Sequence, residues 1–74
     1  MKGAEVRRIR EKLGLTRDEF AVVFGLSGYR TVMNIETDFR RPSQLTIILL
    51  CALDSLSASK SGAIVDLLRR HSAV

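Results

Sequence analysis

Two glycines and one capping signal divide the first third of the chain into short helices. Gly14 and Gly25 each follow an apolar periodic segment, where a glycine commonly ends a helix in the left-handed conformation. Between them, Thr16 and Glu19 have the spacing of a capping box, in which each side chain accepts a hydrogen bond from the other residue's amide. The second helix is therefore confined to residues 17–24. A chain divided in this way must fold by packing short helices against one another.

The same signals predict five helices and no strands. The first covers about residues 4–13, the second follows the capping box, and the third is capped by Ser27 and runs through Ile35. Ser43 caps a fourth helix over about residues 44–56, which follows Pro42. We interpret residues 57–62 as a small-residue break and place a fifth helix from about residue 64 to 71. The fold class predicted is all-α, a compact five-helix bundle.

Length and composition restrict what this bundle can be. Seventy-four residues allow one domain, residues 1–74, whose small core leaves helix packing and oligomerisation as sources of stability. One cysteine and one histidine exclude an intrachain disulfide and a structural zinc site. Cys51 lies in an apolar run and is expected to be an inert core thiol, while His71 is expected to cap the last helix. We expect a cytoplasmic chain with no metal, cofactor, small-molecule ligand or membrane partner.

The positive charge is unevenly distributed. The net charge is +4 with a sequence pI near 10.0. Residues 1–12 contain five basic and two acidic residues, and Arg40–Arg41 form a second basic focus. This distribution favours a polyanionic partner, although a solvated basic face would show the same pattern.

The second helix, the Gly25 turn and the third helix have the form of a unit that places a helix in the DNA major groove. If Val32 and Ile35 face inward, the outward residues can pair with base edges, Arg with guanine and Asn with adenine, or contact the thymine methyl. These outward residues are Tyr29, Arg30, Thr31, Met33 and Asn34. Because similar units occur in bundles that bind nothing, periodicity alone leaves a structural interpretation open.

The string IREKLGLTRDEFA, residues 9–21, resembles the opening of Cro/cI-type (XRE) helix-turn-helix domains. Those domains typically read IR-x-K-x-G-L-T-Q-x-E-F/L-A. The similarity continues through Gly25–Ser27, Thr31–Val32, Ile35–Glu36 and Arg40–Ser43, so it covers roughly residues 4–56. It implies a sequence-specific regulator that binds double-stranded DNA.

The resemblance also implies roles for individual residues. Tyr29, Arg30 and Asn34 match base-reading positions, with Thr31 and Met33 as secondary contacts. Glu36 matches a structural position. The residues implied to contact the DNA backbone are Thr16, Arg17, Ser27, Arg40 and Arg41.

The chain departs from the family pattern at two places. Gly28 is an apparent insertion, which places the start of the recognition helix at Tyr29 or Arg30. Asp38 and Phe39 stand where a glycine and a basic residue are common. Asp38 is expected to adopt the left-handed conformation, and Phe39 to pack against the core.

The fourth helix is apolar almost all round and predicts self-association. One face, Ile47, Ile48, Leu50, Cys51 and Leu53, can serve the core. We call the second face, Leu45, Leu49, Ala52 and Leu56, the apolar stripe. Together with Ile64 and Leu68 of the fifth helix it predicts a two-fold homodimer, unless the fifth helix of the same chain covers it.

Two functions are compatible with these features. The first is a homodimeric repressor without an effector domain that reads a palindromic operator and regulates its own expression. The resemblance places such chains among phage or mobile-element regulators, including Cro-like proteins and regulators that accompany anti-CRISPR genes. The alternative is an antitoxin-type interaction protein whose apolar C-terminal half binds a partner protein. An enzyme is not expected, because no catalytic constellation is visible.

Overall fold

Five α-helices form the computed structural model, which describes residues 1–72. They are α1 (Gly3–Lys12), α2 (Arg17–Val23), α3 (Tyr29–Glu36), α4 (Gln44–Ser55) and α5 (Ala58–Ser72). The described residues contain no strand, so the predicted all-α fold is confirmed. Among these helices none has the length and apolar character needed to cross a membrane.

The predicted helix ends are set by their caps. The Thr16 hydroxyl accepts from the Glu19 amide at 3.1 Å, and the Glu19 carboxylate accepts from the Thr16 amide at 2.9 Å. The Ser43 hydroxyl likewise accepts from the Thr46 amide at the start of α4. Gly14 has a φ of 72°, the left-handed conformation predicted for a residue that ends α1.

The core lies where the short helices converge. Helix α3 packs against α1 and α2, while α4 packs against α1 and α5 covers α2. Helices α1 to α4 each contribute one or two fully covered large apolar side chains, and α5 contributes the buried Val65. The largest fully covered side chains are Phe20, Ile9, Leu50, Leu53, Val6 and Val32. This arrangement leaves the side of α3 opposite Val32 without cover from the other helices.

The predicted break at residues 57–62 is wrong, because α5 already begins at Ala58. The Ser57 hydroxyl accepts from the Lys60 amide at 3.4 Å. One turn later, the buried Ser61 donates its hydroxyl to the Leu53 carbonyl oxygen at 2.7 Å. The small side chains therefore allow the first turns of α5 to pack closely on the end of α4.

The predicted core face of α4 is only partly correct. Leu50 and Leu53 are buried and Ile47 is half-buried, but Ile48 and Cys51 are exposed. Together with Thr46, the two buried leucines occupy one narrow arc of the helix. The prediction that the Cys51 thiol lies in the core is therefore wrong.

The apolar stripe of α4 is covered only in part, since Leu49 and Leu56 are half-buried but Leu45 and Ala52 are exposed. Leu45 in that stripe remains 66% exposed, and Ile48 beside it is 54% exposed. Leu68 packs against the core of its own chain, whereas Ile64 and Leu67 point away from that core. The described chain thus leaves apolar surface open on both helices.

Candidate nucleic-acid interface

The turn between α2 and α3 is built around two glycines. Gly25 adopts a φ of 67°, and the Leu26 amide donates to the Ala21 carbonyl oxygen at 2.8 Å. Gly28 then precedes the first residue of α3, Tyr29, as the apparent insertion predicted. The turn is long enough to redirect the chain and to begin α3 with an exposed aromatic residue.

Ser27 does not cap α3, contrary to the prediction. Gly28 occupies the N-cap position, and no side chain accepts a hydrogen bond there. The Ser27 hydroxyl lies instead 2.6 Å from the Thr31 hydroxyl. Because Thr31 is only 9% exposed and packs beside Val32, its expected outward orientation is wrong.

The outward face of α3 follows the helical period from Tyr29. Arg30 and Met33 are exposed and Asn34 is half-exposed, as predicted. Thr37, one turn beyond Met33 and also exposed, was missed by the sequence reasoning, although the four-residue spacing pointed to it. We therefore define the outward face as Tyr29, Arg30, Met33, Asn34 and Thr37.

Thr37 presents a methyl group and a hydroxyl oxygen on this face. Its hydroxyl donates to the Met33 carbonyl oxygen at 2.9 Å, which satisfies the last turn of α3. The hydroxyl hydrogen is thus used within the helix, so the Thr37 side chain can offer a partner an apolar contact or an acceptor but not a donor.

A buried ion cluster holds α3 against the two preceding helices. Glu36, with a side chain only 3% exposed, accepts from Arg10 Nε at 2.6 Å and from Arg17 Nε at 3.0 Å. Arg10 also donates to the Leu15 carbonyl oxygen at 2.9 Å. These contacts join α1, α2 and α3, and they confirm the structural role of Glu36. We call Arg10, Arg17 and Glu36 the Glu36 cluster.

Arg17 links this cluster to the outward face. Its guanidinium carbon lies 5.9 Å from the centre of the Tyr29 ring, within the range of a cation–π contact. The hydrogen bond to Glu36 raises the pKa of Arg17 above its ordinary value. The side chain is still 30% exposed, and only its Nε donor is used by Glu36, so its other N–H groups remain for a phosphate.

The capping box also sets the chemistry at the start of α2. The Thr16 oxygen accepts from the Glu19 amide, and the Glu19 carboxylate accepts from the Thr16 amide. The pKa of Glu19 lies below its ordinary value, first because its carboxylate accepts from the Thr16 backbone amide and second because it is hydrogen-bonded to the Thr16 side chain. Glu19 therefore fixes Thr16 at the exposed start of α2.

The loop after α3 begins with a Schellman motif. The Asp38 amide donates to the Ile35 carbonyl oxygen and the Phe39 amide to that of Asn34. Asp38 has a φ of 64°, which confirms the expected left-handed conformation. Phe39 is 84% exposed, so the prediction that it packs against the core is wrong.

Much of the basic charge of α1 is paired with carboxylates of the same chain. Arg10 is buried in the Glu36 cluster, and Arg8 and Lys12 both contact the Asp54 carboxylate at 2.9 Å. The hydrogen bonds from Arg8 and Lys12 lower the pKa of Asp54 to about 2. The exposed guanidinium groups near α3 come instead from Arg30 and from the following loop, at Arg40 and Arg41.

This arrangement, a helix held from behind with polar and apolar groups on its open side, defines a helix-turn-helix DNA-binding domain. A family model described as helix-turn-helix matches residues 6–59. The chain belongs to this family, in its XRE or Cro/cI-type form, and is a DNA-binding transcription regulator. No curated protein and no solved structure matches the chain significantly.

Proposed function

We propose that the protein is a homodimeric repressor that reads an inverted-repeat operator and represses its own gene. The observation that carries the proposal is the outward face of α3, which is open to solvent although the rest of the helix is fixed by the Glu36 cluster. A recognition helix needs both properties, since a defined orientation turns individual contacts into sequence preference.

The chemistry of the outward face suits direct reading of base pairs. We assign Arg30 to a guanine and Asn34 to an adenine, which are the bases their donors and acceptors match. Met33 and Thr37 supply apolar contacts of the kind made with thymine methyl groups. Tyr29 lies at the first turn, beside Arg17, where it reaches the edge of the groove. Thr31 is removed from the proposed contacts because it is buried.

Contacts to the backbone are assigned to residues at the two ends of the motif. Thr16 and Arg17 lie at the start of α2, where the helix dipole adds to their attraction for a phosphate. Ser27 is exposed in the turn, and Arg40 and Arg41 are exposed in the loop after α3. These contacts would position the protein on DNA without selecting a sequence.

Apolar surface on α4 and α5 supports the dimer. Leu45, Ile48 and Ala52 are exposed, and Leu49 and Leu56 are half-buried along the same side of α4. Exposed apolar patches of this kind commonly mark association surfaces. A two-fold axis through them would pair two recognition helices, which in such dimers lie roughly 34 Å apart. We assign Ile64 and Leu67 to the same interface, whereas Leu68 belongs mainly to the core of its own chain.

Selection of bound sites from random duplex DNA tests the proposed specificity. We expect an inverted repeat with half-sites about 10 base pairs apart. Arg30→Ala and Asn34→Ala should each relax the preference at one position of each half-site. Arg41→Ala should instead weaken binding to every sequence and reduce the slope of log affinity against log salt by about one. Uniform losses for all three variants would contradict the assignment of the outward face.

A charge placed on the apolar stripe tests the dimer. Leu45→Glu should convert a dimer to a monomer in sedimentation without unfolding it, because the side chain makes little contact with its own core. Ser59→Glu adds the same charge at an exposed position on α5 and should leave the mass unchanged. A Leu45→Glu protein with the mass and operator affinity of the wild type would show that the interface lies elsewhere.

The exposed apolar stripe is also compatible with the alternative function, an antitoxin-type protein that binds a partner protein. A toxin or other partner protein would cover the same leucines as a second copy of the chain. Stoichiometric co-purification of a second polypeptide, lost in Leu45→Glu, would favour that function over a homodimer. Repression of its own gene is compatible with both.

A further inference from the structure

Phe39 presents an uncovered aromatic ring on a backbone that is held on both sides. Its amide donates to the Asn34 carbonyl oxygen at 2.9 Å, and the Arg40 amide donates to the same oxygen at 3.0 Å. The preceding residue, Asp38, accepts from the Gly3 amide at 2.8 Å through its carboxylate. The backbone from which the ring projects is therefore held in a defined place relative to α3.

The exposure of this ring is unusual for its position. In a Schellman motif, an apolar residue at the position of Phe39 frequently packs back onto the last turn of its helix. Here the ring is 84% exposed, and the residue that it would cover is the polar Asn34. Removal of a large uncovered apolar surface from water by a partner is favourable.

The surrounding charges indicate what kind of partner fits. The residues on either side of Phe39, together with the start of the chain, line a cleft that contains Lys2, Arg40 and Arg41. Asp38 is the acidic residue among those that line it, and its Oδ1 accepts from the Gly3 amide. Three cations against one carboxylate, in a cleft next to the residue that carries the ring, favour an anionic polymer over a second copy of this basic chain.

The position of the loop connects the ring to DNA. When α3 lies in the major groove, its C-terminal end leaves the groove and the following loop meets the backbone. The backbone offers apolar deoxyribose rings between its phosphates. We propose that Phe39 packs on a deoxyribose next to the recognition helix while Lys2, Arg40 and Arg41 contact the flanking phosphates. Neither Phe39 nor Lys2 belongs to the contacts assigned above, and the inference rests on the DNA binding of this same face.

Fluorine NMR of the intact chain tests the contact directly. The chain has three phenylalanines, of which Phe20 is fully buried, so para-fluorophenylalanine labelling gives few resonances, and Phe39→Leu assigns one of them. A random-sequence duplex of about 20 base pairs, long enough for both subunits, should shift and broaden the Phe39 resonance but not that of Phe20. A Phe39 resonance that moves with protein concentration and not with DNA would overturn the proposal in favour of a protein interface.

Binding measurements on the same duplex separate the ring from the cations. Phe39→Ala should weaken binding roughly tenfold with an unchanged salt slope, because an apolar contact releases no counterions. Lys2→Ala should weaken binding and lower the slope by about one. Val22→Ala is the matched control, since Val22 is exposed on α2 beside Arg69 of α5, away from the loop.

The outcomes distinguish this inference from the proposed function. The contact would be overturned, with DNA binding left intact, by two results together. These are wild-type affinity in Phe39→Ala and no shift of the Phe39 resonance when DNA is added to the labelled wild-type chain. A wild-type chain that binds no duplex at all would overturn both. The unfolding midpoint of Phe39→Ala should equal that of the wild type, which excludes misfolding as the cause of a loss.

Discussion

Removal of the Glu36 carboxylate should destabilise the protein more than the loss of an ordinary ion pair. In Glu36→Leu the guanidinium of Arg10, whose side chain is 10% exposed, loses its carboxylate partner and keeps the Leu15 carbonyl oxygen as acceptor. Removal of one partner from a buried ion pair lowers the free energy of unfolding by about 3–5 kcal/mol. Arg17 adds little to this cost because its side chain is 30% exposed and can turn towards solvent.

That cost is large relative to the total stability of such a small domain. At about 0.05–0.15 kcal/mol per residue, a chain of this length has a free energy of unfolding of roughly 4–11 kcal/mol. We therefore expect Glu36→Leu to lower the melting temperature by about 15 °C or more, or to prevent folding altogether. The measurement is urea unfolding followed by far-UV circular dichroism at one fixed protein concentration, since the proposed dimerisation would make stability depend on concentration.

A double variant tests whether the cost comes from the unpaired buried charge of Arg10 or from changed packing around it. Arg10→Met combined with Glu36→Leu removes both charges and should recover most of the stability, because a well-packed apolar pair commonly replaces a buried ion pair without loss. Recovery should fall short by about 1 kcal/mol, since the Leu15 carbonyl oxygen also loses its donor. A single variant within about 1 kcal/mol of the wild type, or a double variant no more stable than the single one, would refute the reasoning.

Two further changes test the supports of α3 and α1. Gly3→Ala should lower the melting temperature, because the added Cβ would lie 2.6 Å from the Ile35 carbonyl oxygen. The control is Gly62→Ala, whose Cβ meets nothing within 4 Å, and it should raise the melting temperature slightly in the same thermal scan. Asp54→Asn should destabilise the protein near neutral pH by removing the contacts to two basic side chains of α1. Because the pKa of Asp54 falls from 3.8 to about 2 on folding, its contribution is complete above pH 3.8 and is lost as the pH falls through about 2. The difference between variant and wild type in unfolding midpoint should therefore shrink over that interval, and a constant difference would contradict the assignment.

The ends of most helices could be predicted from the sequence because they depend on local chemistry. Thr16, Glu19 and Ser43 satisfy amides within three residues of themselves, and Gly14 and Gly25 adopt the left-handed conformation that ends a helix. Such interactions are visible in sequence spacing alone. The inward positions of α3 were predictable for the same reason, since Val32 and Ile35 follow the helical period.

The errors arose where contacts that spacing does not show decide the outcome. Ser61 lies in a helix and donates its hydroxyl to the carbonyl oxygen of Leu53, a contact that composition does not reveal. Thr31 is buried, and its hydroxyl bonds to that of Ser27 in the turn. In α4 the apolar residues surround the helix, so periodicity could not decide which of them, Leu50 or Cys51, faces the core.

The candidate site was predictable in outline but not in its charge distribution. The resemblance identified the recognition helix and the following basic loop. It did not show that Arg8 and Lys12 are held by Asp54, or that Arg17 is shared between Glu36 and Tyr29. These pairings depend on how α1 packs against α4 and α2 against α3, which requires the tertiary structure.

The division of α3 into a held side and an open side has a consequence for how such a regulator can diverge. The Glu36 cluster anchors the helix through its last residue, whereas the outward side chains Arg30, Met33 and Asn34 make few contacts within the protein. Substitutions at those three positions can therefore alter the DNA sequence that is preferred at little cost in folding free energy. A lineage could move between operators through single changes, as long as the carboxylate behind the helix is retained.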